Sequence, residues 1–180
     1  YHCFEALRGH TLNGSRCITA VNPCHRHEVI GGDSLSRLHT FRMREVVAFG
    51  PGEYVAEVLD NLLRSTHAAC VRWKISHRVT TASDAFFAGA PGSKIFFQSA
   101  FALKRELRVR TDFDDQWVAV ASFNNHQRSL TRAFSIRAGS AEADSGCVGW
   151  GYERLAYALM SQLGVDLNAW PAAIRDDLQI

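Results

Sequence analysis

Between Leu38 and Phe49 the stretch LHTFRMREVVAF is rich in residues that suit a pleated strand, and its alternation puts Phe41, Met43 and Glu45 on one face. Pro51-Gly52 breaks the pattern. From Glu53 to about Lys74 the period changes. Val55, Val58, Leu59, Leu62 and Leu63 recur at the spacing of an amphipathic helix. Two further strands are predicted from Ala102 to Thr111 and from Trp117 to Phe123, joined by the acidic turn DFDD. A second helix is predicted from Glu153 to Leu163, rich in Ala and Leu, with Gly164 placed to end it. Gly31-Gly32-Asp33-Ser34 reads as a turn between strands, and APGSK at 90–94 as a loop. Strands, a helix, more strands and a helix do not make a regular βαβ alternation. The order predicts an α+β fold with a mostly antiparallel sheet and helices packed on it.

Composition narrows the class. The chain has 180 residues, 47% hydrophobic and 21% charged, which suits one globular domain spanning 1–180. A net charge of +2 is too close to zero to argue for a nucleic-acid partner from charge alone. No apolar run approaches the roughly 20 residues of a membrane span, and no basic-then-apolar leader is visible. The five cysteines, Cys3, Cys17, Cys24, Cys70 and Cys147, are scattered and contain no CxxC pair. They do not form a disulfide framework, and a cytoplasmic protein is expected. The chain opens on Tyr1 in motif-like sequence, as expected of a piece of a longer protein.

Several stretches carry candidate chemistry. In CHRHE, Arg26 and Glu28 stand two apart on a predicted strand and share a face. They are either a solvated ion pair or a clamp for an anion and an amine or amide edge. Glu45 shares a strand face with Phe41, which is anomalous because burying an unpaired carboxylate is costly. Either Glu45 lies at an exposed edge or it binds a cation. SFNNHQ (Ser122 to Gln127) crowds polar side chains at the end of an apolar strand, as a turn or as the rim of a site. Spacing alone does not join Cys3, Glu45 and Cys147, and each cysteine by itself reads as a small buried apolar residue.

Taken together, CHRHE, FRMRE and GWGYER resemble the catalytic domain of a class II aminoacyl-tRNA synthetase. More closely, YHC, RLHTFRMREVV, ASDAFF, LKREL, VASFNNHQ, SGCVGWGYERLAYAL and LGVDLNAWP follow the order found in amino acid–carrier protein ligases. That family consists of truncated homologues of the zinc-containing seryl-tRNA synthetases. The resemblance implies an antiparallel sheet flanked by helices. It implies ATP-dependent activation of a small amino acid, glycine or alanine, as an aminoacyl-adenylate, followed by transfer to the phosphopantetheine thiol of a carrier protein. Zinc would be held by Cys3, Glu45 and Cys147, leaving a fourth position for the substrate amino group. Arg26 would meet the α-phosphate, Glu28 would orient the nucleotide, and Phe41 would stack on adenine with Arg154 on its other face. Asp84, with Glu45, would belong to the amino-acid pocket. Glu106, Ser122 and Asn124 would line the α-phosphate and magnesium side.

The resemblance also sets expectations beyond the site. The first motif of the class, which builds the dimer interface, has no counterpart and is expected ahead of Tyr1, so the full-length protein is expected to be a homodimer. Residues 1–180 hold no stretch that resembles the tRNA-binding arm or the anticodon-reading domain, and tRNA is not expected as a partner. Two alternatives stay open: a fragment of a seryl-tRNA synthetase, and a non-catalytic paralogue that only binds a ligand or partner.

Overall fold

The computed structural model describes residues 2–26, 36–82 and 103–180. A short helix, α1 (His2–Ala6), precedes β1 (Thr11–Leu12) and the long strand β2 (Arg16–His25). Next come β3 (Thr40–Gly50), α2 (Gly52–Arg72), β4 (His77–Thr81), β5 (Lys104–Thr111) and β6 (Gln116–Gln127). Then follow α3 (Ser129–Ala133), the short strands β7 (Arg137–Ala138) and β8 (Ala141–Glu142), β9 (Asp144–Gly151), α4 (Tyr152–Leu163) and α5 (Ala172–Leu178). Among the described residues the main sheet has the order β2-β3-β9-β6-β5-β4, and every neighbouring pair is antiparallel. The α+β reading and the antiparallel sheet flanked by helices are what the chain adopts.

Period-two alternation divides this sheet into two faces. One face, with Ala48, Leu107, Val109, Ala121, Phe123 and Val148, packs against Val55 and Leu59 of α2 and Ala158 and Leu159 of α4. Gly146 of β9 sits directly beneath α2. A Cβ there would meet Val55 Cγ1 at 2.8 Å and Leu59 Cδ1 at 3.0 Å, so the absence of a side chain lets helix and sheet approach. Val47 and Phe49 of β3 point the other way, into a second cluster with Phe4, Leu7, Ile136 and Ala143. That cluster, brought by α1 and the segment around the small β1-β7-β8 sheet, covers only one end of the second face. The rest of that face carries the polar residues of the site.

The helices begin and end as the sequence predicts, to within a residue or two. Pro51 sits at the entry to α2, Glu53 lies in its first turn and Arg72 in its last, each placed favourably for the helix dipole. Gly164 terminates α4 with φ +80°, a left-handed backbone that a side chain would strain. Strand β6 differs from expectation. It continues through Asn124 to Gln127 instead of turning after Phe123, with a register shift against β9 between Asn125 and Gln127. The polar run of SFNNHQ is therefore strand, its partners supplied by β9, and alternation lets Phe123 face the core while Ser122 and Asn124 face the site. Helices α1, α3 and α5 and the small sheet carried no sequence signal strong enough to predict. The turn at Gly31–Ser34 and the loop at 90–94 lie outside the described residues. No described helix is long and apolar enough to cross a membrane.

Leu107 is fully buried where β5 meets the helices. Leu107→Ala should cost about 2–5 kcal/mol through lost burial and the cavity left behind. Urea unfolding measures this, and a loss well below 1 kcal/mol would contradict the packing described.

Candidate active site

Strand register builds the site. Across the face turned away from α2 and α4, Ile18, Val47, Cys147, Asn124 and Lys104 form one row, each opposite the next on a neighbouring strand. The adjacent row reads Ala20, Glu45, Gly149, Ser122, Glu106. Residues far apart in sequence thus become cross-strand neighbours or diagonal ones, within reach of each other's side chains. Gly149 leaves a gap in the second row. A Cβ there would lie 2.6 Å from Met43 Cε, so glycine gives the Met43 side chain room to lie over β9.

Two hollows open over these rows. Phe41, Met43, Glu106, Ser122, Gly151 and Arg154 line the first, together with Arg26 and Lys104. The second is lined by Cys3, Glu45, Asn124, His126 and Cys147, with Phe4, Ile18, Val47 and Leu130 as its apolar wall. Arg26, Met43, Lys104 and Ser122 line both, so the hollows meet at these four residues.

The first hollow is rich in fixed cations. Arg26 lies just past the end of β2, its amide donating to the His39 carbonyl at 2.8 Å and its guanidinium 5.4 Å from the centre of the Phe41 ring. Arg154 stands in the first turn of α4, where Nε donates to the Ser36 carbonyl at 2.7 Å and Nη1 to the Ala119 carbonyl at 3.4 Å. Its neighbour Glu153 turns to β3 and accepts from the Arg42 amide at 2.8 Å. Burial works to raise the Glu153 carboxyl, but hydrogen bonds from the Arg42 amide, its own backbone and the Arg42 side chain outweigh it and hold it below the usual range. Glu106 is only 6% exposed and lies between two cations, Arg108 at 2.7 Å and Lys104 at 3.5 Å.

The second hollow gathers acids. Burial pushes the Cys147 thiol up to about 11 against the lowering effect of the Asn124 hydrogen bond, with smaller upward contributions from Glu45 and Cys3. Burial also raises Cys3, and Glu45 adds to it. Asn124 Nδ2 donates to Cys147 Sγ at 3.5 Å and to Ser122 Oγ at 3.3 Å, while its buried Oδ1 has no partner. His126 Nε2 also lies 3.5 Å from Cys147 Sγ, and burial lowers this histidine to about 4, so it is neutral. Two thiols beside a carboxylate are a ligand set that suits a divalent cation chemically. As the chain stands, no three His, Cys, Asp or Glu groups among the described residues are drawn together closely enough to hold a metal ion. Of the other cysteines, Cys70 is in the helix-side core, Cys17 is exposed beside Tyr54, and Cys24 lies on β2; neither hollow is lined by any of the three.

Cys3, Glu45, Cys147 and Asn124 thus share the second hollow, Phe41, Glu106 and Arg154 share the first, and Arg26 and Ser122 line both. Glu28 and Asp84 lie outside the described residues. The sequence reading did not single out Met43, His126 or Lys104 as site residues. By itself LKRELRVR supplies Lys104, Arg105, Arg108 and Arg110 as strand charges in solvent or at the mouth of a tunnel for the carrier's arm. Instead Lys104 is buried at the junction of the hollows, while Arg105 pairs with Asp60 and Arg110 with Asp115. The period-two pairing of Lys104 with Glu106 was the available signal.

No family model matches the chain. It is 34% identical to an amino acid–acyl-carrier-protein ligase of Bradyrhizobium diazoefficiens, over 96% of this chain and 53% of the ligase. The chain therefore spans about half the length of that relative. Its fold is similar to that of the M. kandleri seryl-tRNA synthetase solved in complex with A. aeolicus tRNASec. The TM-score is 0.85 and the identity 21%, over 98% of this chain and 36% of the synthetase. It is also similar to the Pyrococcus horikoshii seryl-tRNA synthetase complexed with ATP. There the TM-score is 0.70 and the identity 16%, over 89% of this chain and 37% of the other.

Removing Glu106 leaves Lys104 and Arg108 facing each other without the charge between them. Glu106→Ala should destabilise the fold by about 3–5 kcal/mol, as breaking a buried ion pair does. The expected reading is a lower urea midpoint at unchanged slope.

Proposed function

The chain is a homologue of the amino acid–acyl-carrier-protein ligases, and we propose that it forms the adenylating centre of such an enzyme, activating a small amino acid with ATP and passing it to the phosphopantetheine thiol of a carrier protein. The observation that carries this reading is the pair of joined hollows, one cationic and one lined by thiols and a carboxylate. A related fold that holds ATP supports the nucleotide part, and the ligase relative supports the carrier part.

In this reading ATP occupies the first hollow. Phe41 stacks on adenine, Arg154 flanks the base and the outer phosphates, and Arg26 meets the α-phosphate at the junction. Glu28 orients the nucleotide, and Glu106, Ser122 and Asn124 line the α-phosphate and the magnesium that ATP brings with it. The amino acid occupies the second hollow with Asp84 near its pocket. The apolar wall of Phe4, Ile18, Val47 and Leu130 suits a small side chain such as that of alanine, or glycine with none. Cys3, Glu45 and Cys147 would hold zinc, which supplies a Lewis-acid position for the substrate amino group.

The substrate carboxylate then attacks the α-phosphorus, a carboxyl oxygen–phosphorus bond forms, the bond to the β-phosphate oxygen breaks, and pyrophosphate leaves. Arg26 stabilises the charge that gathers on the α-phosphate oxygens. In the second half, the carrier thiol gives up its proton, its sulfur attacks the acyl carbon, and AMP leaves. The proposal includes a homodimer for the full-length protein and a cytoplasmic setting, where ATP and reduced thiols are at hand. Likeness to seryl-tRNA synthetases keeps a synthetase fragment as the second reading.

Amino-acid-dependent exchange of pyrophosphate into ATP tests the first half-reaction. Arg26→Ala should lower it about 10²–10³-fold, and near wild-type exchange would remove Arg26 from the reaction. Offered ATP, glycine or alanine, and either a phosphopantetheinylated carrier or total tRNA, the protein should label the carrier. A stable aminoacyl-tRNA with no labelled carrier would favour the synthetase reading.

Metal content is a separate test. Elemental analysis should give about one zinc per chain, with ligand distances of roughly 2.0–2.3 Å. Cys3→Ser and Cys147→Ser should lose it while remaining folded, and full zinc in both variants would rule out this ligand set.

A further inference from the structure

Two anions must meet for the proposed reaction to start. The substrate carboxylate has to approach a phosphorus that already carries charged oxygens, at the point where the hollow for the amino acid opens into the hollow for the nucleotide. Four side chains line both: Arg26, Met43, Lys104 and Ser122. Two of them are cations. If Arg26 is committed to the α-phosphate, Lys104 is the charge left at the junction to meet the nucleophile.

Lys104 is built into this position. It is 9% exposed, on the inner end of β5, with Asn124 opposite it and Cys147 next along the same row. Its ammonium is 3.5 Å from Glu106 Oε1, a long ion pair, whereas Arg108 donates to Glu106 Oε2 at 2.7 and 3.1 Å. Arg108 alone can therefore hold the Glu106 charge when Lys104 turns toward another carboxylate.

Resting on the adenylation reading, we propose that Lys104 is a catalytic residue that binds the carboxylate of the substrate amino acid and holds its oxygen against the α-phosphorus. With the amino group toward Cys3, Glu45 and Cys147 and the carboxylate on Lys104, the substrate is fixed at both ends along one row of the sheet. No proton moves in this step; Lys104 acts by charge and position. An ester, an amide or an amino alcohol lacks the carboxylate it recognises, which restricts the substrate to one with a free carboxylate.

The test uses pyrophosphate exchange with glycine or alanine, whichever the wild-type protein uses. Lys104→Met keeps the length of the side chain without its charge, and Lys104→Ala makes room for a small amine. Both should lose roughly 10²-fold in kcat/KM for the amino acid, with the KM for ATP shifted less than about threefold. The matching amino alcohol, which keeps the amine and lacks the carboxylate, should inhibit wild type and Lys104→Met equally. Ethylamine should restore part of the Lys104→Ala activity. A purely structural Lys104 would weaken the amino acid and the amino alcohol alike and show no rescue, and that result overturns the proposal. Wild-type kcat/KM in both variants overturns it as well. No exchange by the wild-type protein with any amino acid overturns the adenylation reading itself, and this inference with it.

Discussion

Antiparallel register is the constraint on which the site depends. Glu45 opposite Gly149, Gly149 opposite Ser122, and Ser122 opposite Glu106 make one line across four strands. A slip of one residue in any of these pairings would turn the acids and cations toward α2 and the apolar residues toward water. The register is held from the helix side, where Leu107, Phe123 and Val148 are fully or almost fully buried and alternate with Glu106, Ser122 or Asn124, and Gly149. Packing on one face thus fixes chemistry on the other. The close fit of Val55 and Leu59 over Gly146 fastens α2 to the strand that carries Cys147.

How much of this could be read beforehand follows the same logic. Alternation in FRMRE placed Phe41, Met43 and Glu45 on one face, and the burial problem of Glu45 pointed to a cation partner. Those inferences needed only local period. Which strands lie side by side is set by contacts between residues about a hundred positions apart, such as Val47 with Cys147. The likeness to amino acid–carrier protein ligases, and not the spacing, brought Cys3, Glu45 and Cys147 together on the page. Lys104 shows the limit clearly. In LKRELRVR every other residue from Lys104 is charged, which is also the pattern of a solvated face. Only the tertiary structure reveals that one end of that face, at Lys104 and Glu106, is closed over while the other end, at Arg110, is open.

SFNNHQ failed as a turn for a related reason. Consecutive polar residues at a strand end satisfy their backbone groups either by turning or by finding a neighbouring strand. Here β9 supplies the neighbour, with a shift in register at His126. The consequence is chemical. His126 is held against Phe4 and 3.5 Å from Cys147, half-buried and neutral.

The two hollows share two cations and differ in what surrounds them, and that difference is what the sheet would contribute to the proposed reaction between an amino acid and ATP. Phosphates seek fixed cations, and an amino group seeks an electron acceptor that will not compete with them. Arg154 lines the first hollow, Cys3, Glu45 and Cys147 line the second, and Arg26 and Lys104 stand at the junction and line both. Gly149, between Glu45 and Ser122, keeps the boundary clear, because any side chain there would press on Met43, which lines both hollows. The boundary between the hollows is therefore also the place where the two substrates of the proposed reaction would touch.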